Sequence, residues 1–469
     1  MPNDHFSNGK KIAFTVVMFL YINLALTIFW ILKPLKKSLF IGLYDGDQTF
    51  KLGSMEMLGS SAELLAKGMN LLIAFMLVVF LTLVTRLAKR QRLTYCCMGL
   101  IIAMTFYFSL QMQINEPGES TVWLFYWFGD LYISLMLAAF FSFLHDTVDL
   151  RNAKRLYGFI VLGAVSGGAV GSTYFRGWIG EMNNQQWLHT IIGIGVVICL
   201  LAFAAGWMAK SIPHHEPKPS PNDVPKKKFN AAIEGASLVF KSRYLIAIAG
   251  IVGFYEITSE VLDYQFTAMT ERFVPKEDIG SRFGTVYAIG NIAALVVQLC
   301  FSIFAAGFPK YRIHWILLAL PLAVALSSLF FIIAPILLAA SLLKISDSTF
   351  AYSVNQTGRE TLYNPLSRQE KYVARAFVEV FIQRTGKVAA LLIAFLVPMF
   401  LNTRNEAGQL ETNLLGLQLL GGFTCIIVAI WFYCVKIVGR KFESLEREQQ
   451  QATATTLGQA QEQPSAGTA

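Results

Sequence analysis

Charge is scarce in this chain: Asp, Glu, Lys and Arg make up 15% of its 469 residues, where a soluble protein carries about 25%. With hydrophobic residues at 55% and a mean hydropathy of +0.51, that deficit excludes an ordinary soluble domain. Cysteine is scarce too. Cys96, Cys97, Cys199, Cys300, Cys425 and Cys434 all lie in apolar runs without metal-ligand spacing, and they read as small hydrophobes. No G-x-x-x-x-G-K-[ST] loop, paired cysteine site or nucleophile motif is present, which argues against an ATPase or another enzyme, and no cofactor is expected. The first apolar run is too long for a signal peptide and lacks a small-residue cleavage site; no Arg- and Ser-rich transit extension precedes it. The net charge of +9 could fit nucleic-acid binding. Basic cytoplasmic loops explain it more simply, so no nucleic-acid partner is expected.

What is present is a series of apolar runs of about 20 residues, the thickness of a bilayer core. Hydropathy places twelve spans near 12–40, 64–85, 94–113, 122–145, 156–175, 188–209, 243–267, 283–306, 313–333, 336–357, 373–400 and 413–436. The expected fold class is all-α, a polytopic membrane protein of about twelve transmembrane helices. With the N-terminus inside, the cytoplasmic loops and both termini hold about 26 of the 39 Lys and Arg, against roughly 10 on the other side. Both termini are therefore expected in the cytoplasm.

The segment "SIPHHEPKPSPNDVPKKKF" is rich in Pro and charge and marks a linker. It divides the chain into a first six-helix half at 1–210, a cytoplasmic linker with an amphipathic helix at 211–242, a second half at 243–441 and a tail at 442–469. His214, His215 and Glu216 stand in that linker with no further ligands and are not read as a metal site. "NAAIEGASLVFKSRY" reads as the helix lying along the membrane surface, and the tail, with almost no apolar bulk, as disordered. "AKRLYGFIVLGAVSGGAVGS" and "VARAFVEVFIQRTGKVAALL" each place a basic loop directly before a span, about 220 residues apart. This weak repetition of a six-span unit is similar to the two pseudo-symmetric halves of the major-facilitator architecture, where substrate sits between the halves.

An ionised group at the centre of a span costs about 2.5–3.5 kcal/mol, so each one needs a reason. "ILKPLKKSLFI" puts Lys33, Lys36 and Lys37 between apolar runs. As one helix, residues 13–44 would be about 48 Å long, so the helix either tilts beyond the core or breaks at Pro34. A single lysine could snorkel to the headgroups; three together point to a cavity lining. Asp130 lies within "FYWFGDLYISLML". In "GFYEITSEVLDYQF", Glu256, Glu260 and Asp263 align on one helical stripe, with Asp263 nearest the outer end and read as solvated. In "RAFVEVFIQRTGKVAALL", Arg384 and Lys387 share a face, while Arg375 and Glu379 are expected to pair with each other at i, i+4. Arg359, in "GRETLYNPL", sits at the inner end of span ten, where an ordinary basic loop explains it equally well. "GAVSGGAVG" reads as a small-residue helix-packing stretch rather than a phosphate cradle.

The basic set attracts an anionic solute, and the acidic set can hold those cations when no solute is bound. The candidate substrate-binding residues are Lys33, Lys36, Lys37, Asp130, Glu256, Glu260, Arg359, Arg384 and Lys387.

These segments resemble the nonmitochondrial ATP/ADP translocase family, the nucleotide transporters of plastids and obligate intracellular bacteria. The residues that carry the resemblance are "LKPLKKSLF", the stretch from "FYWFGDLYISLML" to "AKRLYGFIVLGAVSGG", "GFYEITSEV", "GRETLYNPL" and "RAFVEVFIQRTGK". The resemblance puts Lys36 and Lys387 on functional lysines, Asp130 and Glu260 on glutamates, and Arg359 on a lysine. The chain departs from the pattern at Lys37, which replaces an aspartate, at Asp263-Tyr264, which replace Trp-Lys, and at Arg384, which takes a proline position. The resemblance implies a secondary active transporter that exchanges nucleotides of the ATP/ADP type, or carries a similar phosphorylated anion, by alternating access. A monomer in a bacterial inner membrane, with the lipid bilayer and the anionic substrate as partners, is expected. Two alternatives remain open: a proton-coupled carrier of another organic solute, using Glu256 or Glu260 as the protonation site, and a non-transporting receptor or scaffold on a transporter fold.

Overall fold

A computed structural model describes residues 8–44, 48–87, 91–113, 117–145, 150–209, 236–307, 313–363, 365–366, 374–375, 377–404, 406 and 408–462. The first six helices are α1 (Asn8–Leu43), α2 (Gly59–Leu87), α3 (Gln91–Gln111), α4 (Glu119–His145), α5 (Leu150–Trp178) and α6 (Asn184–Ala209). After them come α7 (Arg243–Phe273), α8 (Ile279–Gly307) and α9 (Ile313–Ile333). Helix α10 starts as Leu337–Phe350 and passes through a wider π-type segment, Ala351–Asn355, into Gln356–Leu362; α11 opens on a second such segment, Val378–Ile382, and continues as Gln383–Leu401. Helix α12 is Leu414–Glu462.

Among the described residues, eight segments, belonging to α1, α3, α4, α6, α7, α8, α9 and α12, are long and apolar enough to cross a membrane. The other four carry much of the interior charge or glycine: Glu63 and Lys67 on α2, the glycine run of α5, Lys344 and Asp347 on α10, and Arg384 and Lys387 on α11.

Helix α1 does not break at Pro34, which lies inside a continuous 36-residue helix. Proline there leaves the Trp30 carbonyl without its helical donor; packing against α4, α5 and α6 holds the axis together regardless. Helix α12 runs on to Glu462, and residues 463–469 of the expected tail lie outside the described residues. Its Glu-, Gln- and Ala-rich sequence is made of good helix formers. Residues 210–235, with the His214-His215-Glu216 cluster and most of the linker, lie outside the described residues; of the surface helix only 236–241 is described, and it is helical.

Two short hairpins cap one face. β1 (Phe50–Leu52) and β2 (Met55–Met57) pair between α1 and α2, and β3 (Thr403–Arg404) and β4 (Leu410–Glu411) pair between α11 and α12. Gly53 takes the φ of +64° that a two-residue hairpin turn needs and other residues resist. Arg404 joins the two hairpins through Glu56 at 2.7 Å, a hydrogen-bonded pair that holds the Glu56 carboxyl below the usual carboxylate range. Beneath them, Ser60 donates its backbone N–H to Glu271 at 3.0 Å, tying the start of α2 to the end of α7.

The apolar interior divides into two cores. One lies wholly within the first six helices, around Tyr21, Phe125, Tyr132 and Trp187. The other fills the last six and extends across the seam at the hairpin face, taking in Phe40, Ile41, Tyr44, Trp123 and Tyr126. The hairpin end is thus closed by apolar packing that runs from the last six helices into α1 and α4, where Phe40 lies 5.0 Å from Trp123 and 4.8 Å from Tyr126.

Helices α1 and α5 pack most intimately. Gly167 and Gly171 face the α1 backbone at Asn23 and Thr27 so closely that a Cβ at either would collide with a carbonyl oxygen. Asn23 also donates to Ser166 Oγ at 2.8 Å, and Thr27 to the Gly167 carbonyl at 3.3 Å. Close approach of this kind depends on small residues. Gly167→Ala should therefore cost about 1–3 kcal/mol through overpacking, read as a lower Tm in detergent. Gly177→Ala, on the same helix with open space around it, should leave Tm unchanged or higher.

Candidate functional site

The charged residues of α1 lie just inside the sealed end, where the helix meets α2, α4, α7 and α8. Below that seal lies a cavity of about 560 Å³, lined by α1, α2, α4, α7, α10 and α11 together with Tyr287 of α8. That volume lies within the range of about 300–1,000 Å³ common to small-molecule sites. Lys33, Lys36, Lys37, Asp130, Glu256, Glu260, Arg384 and Lys387 all line it. Arg359 does not; it sits one ion pair away, bound to the lining residue Glu379 at 2.9 Å.

Each α1 lysine has a different surrounding. Lys36 reaches α4 and meets Asp130 at 2.5 Å, its ammonium 4.2 Å from the Tyr126 ring centre. Gly129 makes this possible, since a Cβ there would strike the lysine stem. Asn70 of α2 donates to the same carboxylate at 2.5 Å. Lys33 lies among Trp30, Tyr287 and Phe29, at 4.6, 5.1 and 5.8 Å from the ring centres. Aromatic faces attract a cation without neutralising it.

Lys37 turns to α7, where Asp263 accepts at 2.8 Å. Here the structure corrects the solvated reading of Asp263, which is 8% exposed and central. Lys67 of α2 also reaches it at 2.7 Å, and Lys344 of α10 at 3.0 Å. Around this carboxylate an ionic chain runs through both sets of six helices. Glu63 meets Lys37 at 3.4 Å and accepts from the Tyr126 hydroxyl at 2.9 Å. Lys67 also contacts Glu260 at 3.3 Å. Asp347 pairs with Lys344 at 3.3 Å and accepts from the Ser259 hydroxyl at 3.0 Å.

Toward the other end the pairing loosens. Glu256 accepts from Gln383 at 2.7 Å and lies 3.7 Å from Lys387. The expected Arg375–Glu379 pair is replaced by two others: Arg375 binds Glu360 at 2.6 Å, and Arg359 takes Glu379. Glu379 lies within the π-type segment Val378–Ile382, and α10 supplies the competing partners, Glu360 for Arg375 and Arg359 for Glu379.

Sequence reasoning missed Glu63, Lys67, Lys344 and Asp347. Glu63 and Lys67 look like an ordinary i, i+4 pair at a helix end. Lys344 had a usable signal, a lysine in the middle of the span "LLAASLLKISDSTF", subject to the same insertion cost as the lysines of α1.

No family model matches the chain. The chain is similar to ADP,ATP carrier protein 1 of Arabidopsis thaliana chloroplasts, 25% identical over 365 residues that cover 70% of this chain and 55% of that protein. It is also similar to ADP,ATP carrier protein 1 of Chlamydia trachomatis, 24% identical over 307 residues covering 57% of each. The chain thus spans a little over half the length of the curated relatives it matches. Among solved structures it is similar to a bacterial homologue of the human lysosomal transporter Spinster, with a TM-score of 0.53, 13% identity, and coverage of 94% of this chain and 99% of that one. It is likewise similar to the nucleoside transporter NupG, with a TM-score of 0.54, 12% identity, and coverage of 92% and 99%. These likenesses give the fold: an all-α, major-facilitator-like helical bundle.

The Lys36–Asp130 contact joins a buried ammonium to a carboxylate that is 35% exposed. In a double-mutant cycle of Lys36→Gln and Asp130→Asn, the stability coupling should be about 1–2 kcal/mol, below the cost of breaking a fully buried pair. Thermal unfolding in detergent checks it.

Proposed function

We propose that this distant relative of ADP,ATP carriers is a secondary active transporter of nucleotides, or of a similar phosphorylated anion, working by alternating access. The observation that carries the reading is the concentration of lysines and arginines from α1, α2, α10 and α11 around one cavity. The resemblance at Lys36, Asp130, Glu260, Arg359 and Lys387 and the names of the matching relatives support it. The two sets of six helices act as the rocking halves, with a linker over residues 211–242 between them. A passenger anion competes with the more exposed carboxylates, such as Asp130 on Lys36, and that exchange of counter-ions gives it a different affinity for the two orientations. The orientation with both termini in the cytoplasm, a bacterial inner membrane and a monomeric state belong to the same proposal.

Glu256 favours a second reading. It is 4% exposed, and its contacts are a neutral amide and a distant lysine, so it could carry a proton in a coupled carrier.

Proteoliposome uptake separates the two. In exchange, labelled nucleotide enters vesicles preloaded with unlabelled nucleotide and hardly enters empty ones. In proton coupling, uptake into empty vesicles follows an imposed pH gradient, and Glu256→Gln abolishes that response. Lys36→Gln and Lys387→Gln should each depress uptake strongly, whichever coupling holds. Wild-type uptake no higher than that of protein-free vesicles would remove the carrier reading and leave a receptor or scaffold, whereas equal uptake by wild type and both lysine variants would take Lys36 and Lys387 out of the transport path.

A further inference from the structure

We propose that Asp263 is a resident counter-anion that sets the charge of the passenger, so that the cavity takes a phosphate monoester such as a nucleoside monophosphate in preference to a triphosphate. The inference rests on reading the cavity as the path of a phosphorylated anion.

The geometry around Asp263 is that of an anion site already filled. Lysines from α1, α2 and α10 converge on one carboxylate at 2.8, 2.7 and 3.0 Å. A phosphate oxygen in the same position would meet the same three ammonium groups. The side chain belongs to the chain itself and cannot leave, so these lysines are committed before any solute arrives.

The charge balance of the whole cavity leads to the same conclusion. Among the described residues, seven basic side chains and six carboxylates line it, leaving a formal excess of one positive charge. The two partners just outside the lining, Arg359 on Glu379 and Asp347 on Lys344, cancel each other. Among the lining cations, Lys33 and Arg384 have no carboxylate within ion-pair distance among the described residues. Lys33 is held by aromatic rings; Arg384 is exposed to the cavity.

Lys33 and Arg384 can both contact a phosphate monoester, whose charge of about −1.5 to −2 at pH 7 already exceeds the cavity's formal excess of one. Each further phosphate adds negative charge beyond what the lining cations balance.

The test measures binding of AMP, ADP and ATP to the full-length protein in detergent, in magnesium-free buffer so that the phosphates keep their charge. These ligands share a base and ribose and differ only in phosphate number. Wild type should bind AMP most tightly and ATP least. Asp263→Asn should move the ATP-to-AMP affinity ratio toward ATP by about tenfold, and Asp263→Glu should keep the wild-type order. The double variant Asp263→Asn with Lys344→Gln restores the formal charge and should return the ratio toward wild type. Lys344→Gln alone should move the ratio toward AMP, and it serves if Asp263→Asn does not fold. A wild type that binds ATP at least as tightly as AMP, or a ratio unmoved by these variants, overturns the role of Asp263 while leaving the carrier reading in place. A folded wild type that binds none of the three overturns that reading as well.

Discussion

Ionised groups inside an apolar bundle have to find one another, because the bilayer offers them nothing else. In this protein the requirement is met by a single carboxylate that reaches lysines on three helices. Asp263 joins α7 to α1, α2 and α10, and through Glu63, Glu260 and Asp347 the chain of contacts extends to the Tyr126 hydroxyl and to Ser259. An ion pair of this kind has a large gross attraction and a small net one, since desolvation consumes most of it. It contributes direction rather than strength, fixing which faces of the helices meet. The apolar seal above the ions supplies the adhesion; the ions supply the register.

That division of labour explains why the cavity lies where it does. At the hairpin end, the second core crosses the seam with Phe40, Trp123 and Tyr126, and water is excluded. Lower down, the facing residues are charged and the apolar contact stops. There α1, α2 and α4 face α7, α10 and α11 across the lined volume described above, while α5 and α8 stay in contact beside it.

The architecture was largely legible in the sequence because a bilayer leaves so few options: runs of about 20 apolar residues located the helices, although α12 extends well beyond its expected span, to Glu462. The candidate site was legible where charge interrupts a run, as at Lys33, Lys36, Lys37, Asp130, Glu256 and Glu260. It was illegible where the meaning of a charge depends on a partner elsewhere in the chain. Asp263 looked terminal on α7 only because its partners lie 196 and 226 residues away on α2 and α1. Glu379 looked paired with Arg375 because spacing along one helix cannot see Arg359 and Glu360, which take the two side chains from α10. Pro34 looked like a break because local propensity cannot weigh the packing of α1 against its neighbours.

The ring cluster beneath the hairpins has a thermal consequence. A bundle that parts at that end must wet some of the core that these α1 and α4 rings share with the last six helices, and exposed apolar surface raises heat capacity. The equilibrium between closed and open forms is therefore curved in temperature, with the hydrophobic part of the closure weakening on cooling. A salt-bridged latch such as Arg404–Glu56 responds to ionic strength instead. The same lid thus answers to two independent physical variables, one acting on its rings and the other on its rim.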